Sequence, residues 1–215
     1  MIPLLHDFTG TRVLVFGGGR VGARRARTFD READVVVVSP TFVEESFGSA
    51  ARVRAAPEPA AVGDWIDRVD PAVIVAATDR TALNDAIATA GHDRGVLVNR
   101  ADQAAGADRT VSDVAVPATV WSEPVVVGIS TGGRSPALTR VLRERIEPHI
   151  EDAGEMARVT GSLRAALNDV SPEQRRSALR AVVRSDRVWK ALGDSHTNTE
   201  QAVSEVIASE LGETE

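Results

Sequence analysis

Residues 13–16, Val-Leu-Val-Phe, form an apolar run that breaks on three consecutive glycines and then resumes as a helical pattern from Val21. Gly17, Gly19 and Gly22 fall on the G-x-G-x-x-G spacing that sets a dinucleotide pyrophosphate on a helix N-terminus. The three positions answer separate demands. Gly17 allows the tight turn, Gly19 lets the backbone approach the phosphates, and Gly22 lets the helix pack closely on the strand. The unpaired N–H groups and dipole of the helix supply the anion site. The spacing alone is unspecific, but here it lies inside a strand-turn-helix, the context that the chemistry needs. Gly17, Gly18, Gly19, Arg20, Val21 and Gly22 are therefore the expected phosphate cradle.

The rest of the first half repeats the strand-helix alternation. Val35–Ser39, Arg52–Ala55, Val73–Ala76 and Val96–Asn99 are short β-branched runs, and Val21–Arg31, Phe42–Ser49, Ala60–Val69 and Leu83–Arg94 read as helices between them. Buried strands alternating with helices indicate an α/β fold with a doubly wound, Rossmann-like parallel sheet, whose ligands sit at the carboxyl ends of the strands. Residues 100–110 read as a loop. Val114–Trp121 and Val125–Ser130 then suggest a hairpin, and Ser135 before Pro136 reads as the N-cap of a helix reaching about Glu147. The remainder is helical, with a restart at Ser171-Pro172-Glu173 and a tail expected to fray from Glu210. The expected organisation is a nucleotide-binding domain over 1–112, a small α+β segment of hairpin plus helix over 113–146, and a helical domain over 147–215.

At 215 residues the chain is long enough for a full core and a smaller second unit. No apolar run approaches the ~20 residues needed to cross a bilayer, and a cytoplasmic location is the default. The absence of cysteine excludes disulfides, thiolate metal sites and a cysteine nucleophile, and a net charge of −6 gives no reason to expect nucleic acid. His6, His92, His149 and His196 have no i+3 or i+4 company, so no fixed metal site is expected. Lys190 is the only lysine against 24 arginines. Base composition of the genome or salt adaptation explains that bias, and binding of carboxylate or phosphate is the functional alternative.

An acid that binds ribose hydroxyls is usual about 20 residues after the glycines. Here the second strand ends Ser39-Pro40-Thr41, with no carboxylate. Ser39 suits a free ribose hydroxyl without repelling a 2′-phosphate, so the residues alone leave NAD and NADP open. Arg20, Arg24 and Arg25 read as a solvated helix face.

Four segments occur in order: Gly-Gly-Gly-Arg-Val-Gly-Ala-Arg-Arg (17–25), Val-Ala-Ala-Thr-Asp (75–79) with Asn84, Val-Asn-Arg-Ala-Asp (98–102), and Ile-Ser-Thr-Gly-Gly-Arg-Ser-Pro-Ala-Leu (129–138). Over residues 2 to about 147 the chain resembles the precorrin-2 dehydrogenase/sirohydrochlorin ferrochelatase family, the dehydrogenase part of siroheme synthase. The resemblance implies oxidation of precorrin-2 to sirohydrochlorin with NAD, followed in many members by Fe²⁺ insertion to give siroheme. It implies a homodimer built through residues 113–146. It also makes Asp102 the catalytic carboxylate, taking the proton that accompanies hydride loss and serving during chelation. Family members often carry alanine where Gly22 stands, a change expected to leave packing intact. The segment 103–113 is a looser match.

Thr78, Asp79 and Asn99 close strands at the expected cofactor edge, with Asp79 alternatively capping the next helix. Ser130, Thr131, Gly132, Gly133, Arg134 and Ser135 form a second glycine turn before a helix, suited to a substrate carboxylate or, more plainly, to a strand-helix connection. Arg134 and Arg140 are further carboxylate partners, Arg140 equally a solvated residue. Two other function classes share the first motif: a nucleotide-sensing module of a potassium-uptake regulator and a generic NAD(P) oxidoreductase. The former normally keeps the acid where Ser39 stands, and has no need of the Ser-Thr-Gly-Gly-x-Ser-Pro segment.

Overall fold

The computed structural model describes residues 2–102, 110, 112–193 and 198–212. Two compact units emerge, one of Met1–Val116 with Gly132–Arg134 and one of Pro117–Thr131 with Ser135–Glu215. Of the residues weighed above, His196 lies outside the described residues, as does most of the 100–110 segment.

In the first unit five strands, β1 (Arg12–Phe16), β2 (Asp34–Ser39), β3 (Ala51–Arg54), β4 (Val73–Ala76) and β5 (Leu97–Arg100), form a parallel sheet in the order β3-β2-β1-β4-β5. Alternate side chains face opposite layers. Val13, Val15, Val35, Val37, Val73 and Val75 pack with Ala23, Ala26 and Phe29 of α1 (Arg20–Phe29). Leu14, Phe16, Ile74 and Ala76 pack with Val62 and Ile66 of α2 (Val62–Val69) and with Leu83 and Ile87 of α3 (Thr81–Asp93). Burial on both faces is why these strands read as continuous apolar runs rather than alternating ones. The chain winds outward from β1 through β2 to β3, then returns to the other side of β1 as β4. The switch point thus lies between β1 and β4.

Register fixes where the loops emerge. Val38, Phe16, Ala76 and Arg100 stand in one row across β2, β1, β4 and β5. Ser39, Gly17, Ala77 and Ala101 follow that row at the carboxyl edge, so the segments 17–25, 75–79 and 98–102 converge there.

Two expectations are corrected. No helix forms over Phe42–Ser49. Tertiary bonds hold that segment instead: Val43 N–H donates to Gly18 O at 2.9 Å, and Ser49 N–H donates to the Asp30 carboxylate at 2.9 Å. Phe42 and Phe47 meet edge to face at 5.5 Å. The run Val114–Trp121 is also not one strand. Val114 N–H donates to Val98 O at 2.8 Å and Val98 N–H to Ser112 O at 2.9 Å, extending the parallel sheet past β5. Pro117, which has no N–H for a ladder, separates this stretch from the next strand.

In the second unit β6 (Ala118–Ser122) and β7 (Val125–Ile129) form an antiparallel hairpin, followed by α4 (Pro136–Ile146). Ser135 caps α4 by accepting from Leu138 N–H at 3.3 Å, with Pro136 in the first turn, as its sequence predicts. The helices α5 (Ala153–Ala166), α6 (Pro172–Arg184), α7 (Asp186–Leu192) and α8 (Thr199–Gly212) close on Met156, Val182, Val188, Ala191, Ala202 and Val203. The restart at Ser171 is a capping box: its hydroxyl accepts from Gln174 N–H at 3.2 Å while Gln174 Oε1 accepts from Ser171 N–H at 3.4 Å. Ser171→Ala should lower stability by about 1 kcal/mol, read as a shift of the denaturant midpoint at unchanged slope. Among the described residues no helix is long and apolar enough to cross a membrane.

Candidate active site

At the end of β1 the chain turns through Gly17, at φ +123°, where a Cβ would lie 2.3 Å from Ala77 O. The turn is therefore pressed against the end of β4. Gly19 is the N-cap residue of α1, whose first turn has no side-chain cap and no acid. A Cβ on Gly19 would meet nothing within 4 Å. Glycine there is not demanded by packing within the chain, but it leaves the helix N-terminus open to an anion. Gly22 answers the opposite demand, since its Cβ would stand 1.9 Å from Gly17 O. It packs the helix on the turn itself, and alanine cannot enter unless the turn moves. The expectation that alanine here is innocuous is corrected for this chain. Arg20 is exposed and pairs with Glu45 at 3.1 Å, and Val21 is exposed beside it.

Ser39 is buried at the end of β2, beneath the turn: a Cβ on Gly18 would lie 2.8 Å from its hydroxyl. Pro40 follows it in an exposed position. Arg25 is not part of a solvated face. Its Nη1 donates to Val116 O at 3.4 Å, its Nε has no partner among the described residues, and burial pushes the guanidinium down to about 10. It stays protonated at neutral pH.

Beyond β4 and β5 the polar side chains form one network. Asn84 on α3, 1% exposed, accepts at Oδ1 from Thr78 N–H at 3.2 Å and from Thr78 Oγ1 at 2.7 Å, and donates from Nδ2 to Thr78 O at 2.9 Å. Thr78 Oγ1 in turn accepts from Arg80 N–H at 3.2 Å. Arg80, not Asp79, is the N-cap residue of α3, and it makes no side-chain cap bond. The capping alternative for Asp79 is thereby corrected, because the chain is still extended at Arg80 and α3 starts only at Thr81. Asn99 is 4% exposed; its Nδ2 donates to Val114 O at 2.8 Å, while its Oδ1 has no partner among the described residues. A buried acceptor without a donor costs roughly 1–3 kcal/mol, a cost that a ligand N–H would remove.

Asp102 follows β5 and is held by a neighbour that the sequence reading passed over. Arg100 Nε and Nη2 each donate to the Asp102 carboxylate at 2.8 Å, and Arg100 Nη1 donates to Asp85 on α3 at 2.8 Å. The Arg100 bonds, helped by Asn84, hold the Asp102 carboxyl below its ordinary value despite partial burial. Asp102 is thus an ionised acceptor at neutral pH. The signal for this pair was present: residues i and i+2 at a strand end share a face.

In the second glycine turn, Gly132 and Gly133 adopt φ of +63° and +79°. Thr131 Oγ1 accepts from Ser135 N–H at 3.1 Å and shares a bond with Thr139 Oγ1 at 3.1 Å. Thr131 and Ser135 thereby brace the turn and cap α4, and Arg134 is exposed.

Residues 4–118 match a family of NAD(P)-binding domains, and residues 127–149 match the central segment of sirohaem biosynthesis proteins. The chain is 29% identical to a precorrin-2 dehydrogenase of Methanosarcina barkeri over 98% of its own length and 95% of that protein's. The chain belongs to a family of NAD(P)-binding proteins, and it is similar to precorrin-2 dehydrogenases and siroheme synthases. A second relative, siroheme synthase 1 of Aeromonas salmonicida, is 31% identical over 98% of this chain, which spans only 45% of that protein. The solved structure of SirC, a precorrin-2 dehydrogenase, superposes with a TM-score of 0.69 at 24% identity over 97% of this chain and the whole of the other, and shares the fold. An NAD(P)-binding domain takes a nicotinamide dinucleotide. The residues fit one: an uncapped helix N-terminus behind Gly19, a turn closed against β4, and the orphaned Asn99 acceptor two strands away, about 10 Å at ordinary strand spacing.

Proposed function

We propose that this chain oxidises precorrin-2 to sirohydrochlorin with NAD⁺ as hydride acceptor. The observation that carries the chemistry is Asp102, an ionised carboxylate at the same sheet edge as the glycine turn. The oxidation removes a hydride and a proton from the substrate, so it needs an acceptor for each. The dinucleotide, when bound, supplies the hydride acceptor.

The chain's own residues do the rest. Gly17, Gly18, Gly19, Arg20, Val21 and Gly22 seat the pyrophosphate on α1. Ser39 and Pro40 face the adenosine ribose, where the absent carboxylate tolerates either cofactor and the family resemblance favours NAD. Thr78, braced by Asn84, and Asp79 line the cofactor edge. Asn99 Oδ1 accepts from the nicotinamide carboxamide. Asp102 accepts the substrate proton. The amides and Arg134 of the Ser130–Ser135 turn hold a carboxylate of the tetrapyrrole. Asn99→Leu should raise the dissociation constant for NADH about tenfold, one lost hydrogen bond's worth, measured by fluorescence titration.

Insertion of Fe²⁺ into the product is the further step that the siroheme synthase relatives suggest, with Fe²⁺ as substrate and Asp102 accepting pyrrole protons. A homodimer and a cytoplasmic location complete the reading. The dimer is supported by α4, which buries none of its residues and leaves Leu138 and Val141 exposed on the 113–146 segment. Anaerobic incubation of precorrin-2 with NAD⁺, followed by addition of Fe²⁺ or Co²⁺, tests the sequence spectroscopically. A protein that neither oxidises precorrin-2 nor binds sirohydrochlorin at micromolar concentration would refute it.

A further inference from the structure

We propose that Arg100 is a positioning residue for the dehydrogenation, bracing the Asp102 carboxylate against α3 through Asp85. The inference rests on the reading of Asp102 as the base and adds a residue pair to it.

The geometry is unusual for a surface ion pair. The Arg100 side chain is only 9% exposed, whereas Asp85 is 62% exposed and Asp102 26%. Its planar fork grips both oxygens of Asp102 at 2.8 Å, and the remaining Nη1 is tied to Asp85 at 2.8 Å. Arg100 itself is the last residue of β5, in register with Ala76 of β4, and the next residue, Ala101, donates its N–H to Ala76 O at 2.9 Å. Both the backbone and the side chain of Arg100 are therefore fixed by the sheet and by α3. Asp102 lies just past the strand, where it would otherwise choose among rotamers. Around the carboxylate stand Arg100 from β5, Asp85 from α3 through Arg100, and the neutral Asn84 amide.

A bidentate fork uses one lone pair on each carboxylate oxygen. The outer lone pairs lie outside the fork, where the Asn84 amide and the backbone also donate, so the carboxylate meets an incoming proton at a fixed place. Two effects then compete. A neighbouring cation makes Asp102 a weaker base, and removing the cation would strengthen it. Losing the fork would also let the carboxylate drift, and a misplacement near 1 Å costs on the order of 10² in rate. The complete general-base contribution is ~10²–10⁴, of which a change in basicity is only a part. Position wins, so loss of Arg100 slows the reaction.

Steady-state kinetics on the full chain with precorrin-2 and NAD⁺ decide it. Arg100→Met should lower kcat by about tenfold or more with KM for both reactants within about twofold. Arg100→Lys, which keeps the charge and loses the fork, should fall between Met and wild type. Asp85→Asn should cost kcat a few-fold, and as a substitution at an exposed side chain it tests the brace even where Arg100→Met does not fold. A residue acting only through Asp102 must be silent without it, so R100M in an Asp102→Asn background should be no slower than Asp102→Asn alone. Unchanged kcat in R100M, R100K and D85N alongside an inactive D102N overturns the brace and spares the base. A rise in KM at constant kcat, or additive slowing in the double variant, also overturns it. A fully active D102N refutes the base itself.

Discussion

Asp102→Asn should lower kcat for precorrin-2 oxidation by about 10²–10⁴ while leaving NADH affinity within about twofold. The asparagine is isosteric and still able to bond Arg100, but it has no lone pair basic enough to take the proton. Cofactor affinity is spared because the cradle follows β1, and Asn99, though on β5, bonds Val114 O and not Asp102. Comparing kcat with a separate NADH titration distinguishes lost chemistry from lost binding. A variant that oxidises precorrin-2 at the wild-type rate would remove Asp102 from the reaction. The wild type carries a pH corollary. Arg100 and Asn84 hold Asp102 below its ordinary value, so protonation sets in only as pH falls through that depressed value. An acid limb due to Asp102 should therefore lie below the ordinary aspartate value of about 4.

The second large effect is expected at Gly22. Even a Cβ there stands 1.9 Å from Gly17 O, and valine adds two methyl groups toward a turn already pressed against β4. Overpacking of this kind costs typically 1–3 kcal/mol, and the part that yields is the glycine turn. Gly22→Val should therefore unfold at lower temperature and lose the stabilisation that NAD⁺ confers on the wild type, because a cofactor bound only by the native state raises stability with the logarithm of its concentration over its dissociation constant. Thermal unfolding with and without NAD⁺ checks both. Retention of the wild-type NAD⁺ shift would mean that this turn does not seat the cofactor.

The sheet was legible because its strands are buried on both faces, so Val13–Phe16 and Val73–Ala76 read directly as strands. The glycine turn was legible because its spacing has a steric cause at each position. What failed was set by tertiary contact. Phe42–Ser49 has helical texture, but bonds to Gly18 and Asp30 hold it in an irregular path. Asp79 is a sound capping residue by type, yet the chain stays extended through Arg80, which leaves Asp79 one residue before the cap. Arg25 has nothing in its local pattern to separate it from Arg20 and Arg24, and it is a tertiary bond to Val116 O and burial that set it apart. At the site, Asp102 was reached through resemblance to a family. Arg100 and Asp85 were not, because their partnership joins a strand to a helix fifteen positions earlier.

The most direct test is anaerobic incubation of the wild-type chain with precorrin-2 and NAD⁺, following NADH and sirohydrochlorin together by absorbance. The expected result is one NADH formed for each sirohydrochlorin, at a rate that depends on enzyme concentration. Sirohydrochlorin appearing no faster than in the enzyme-free control, with no NADH, would contradict the assignment.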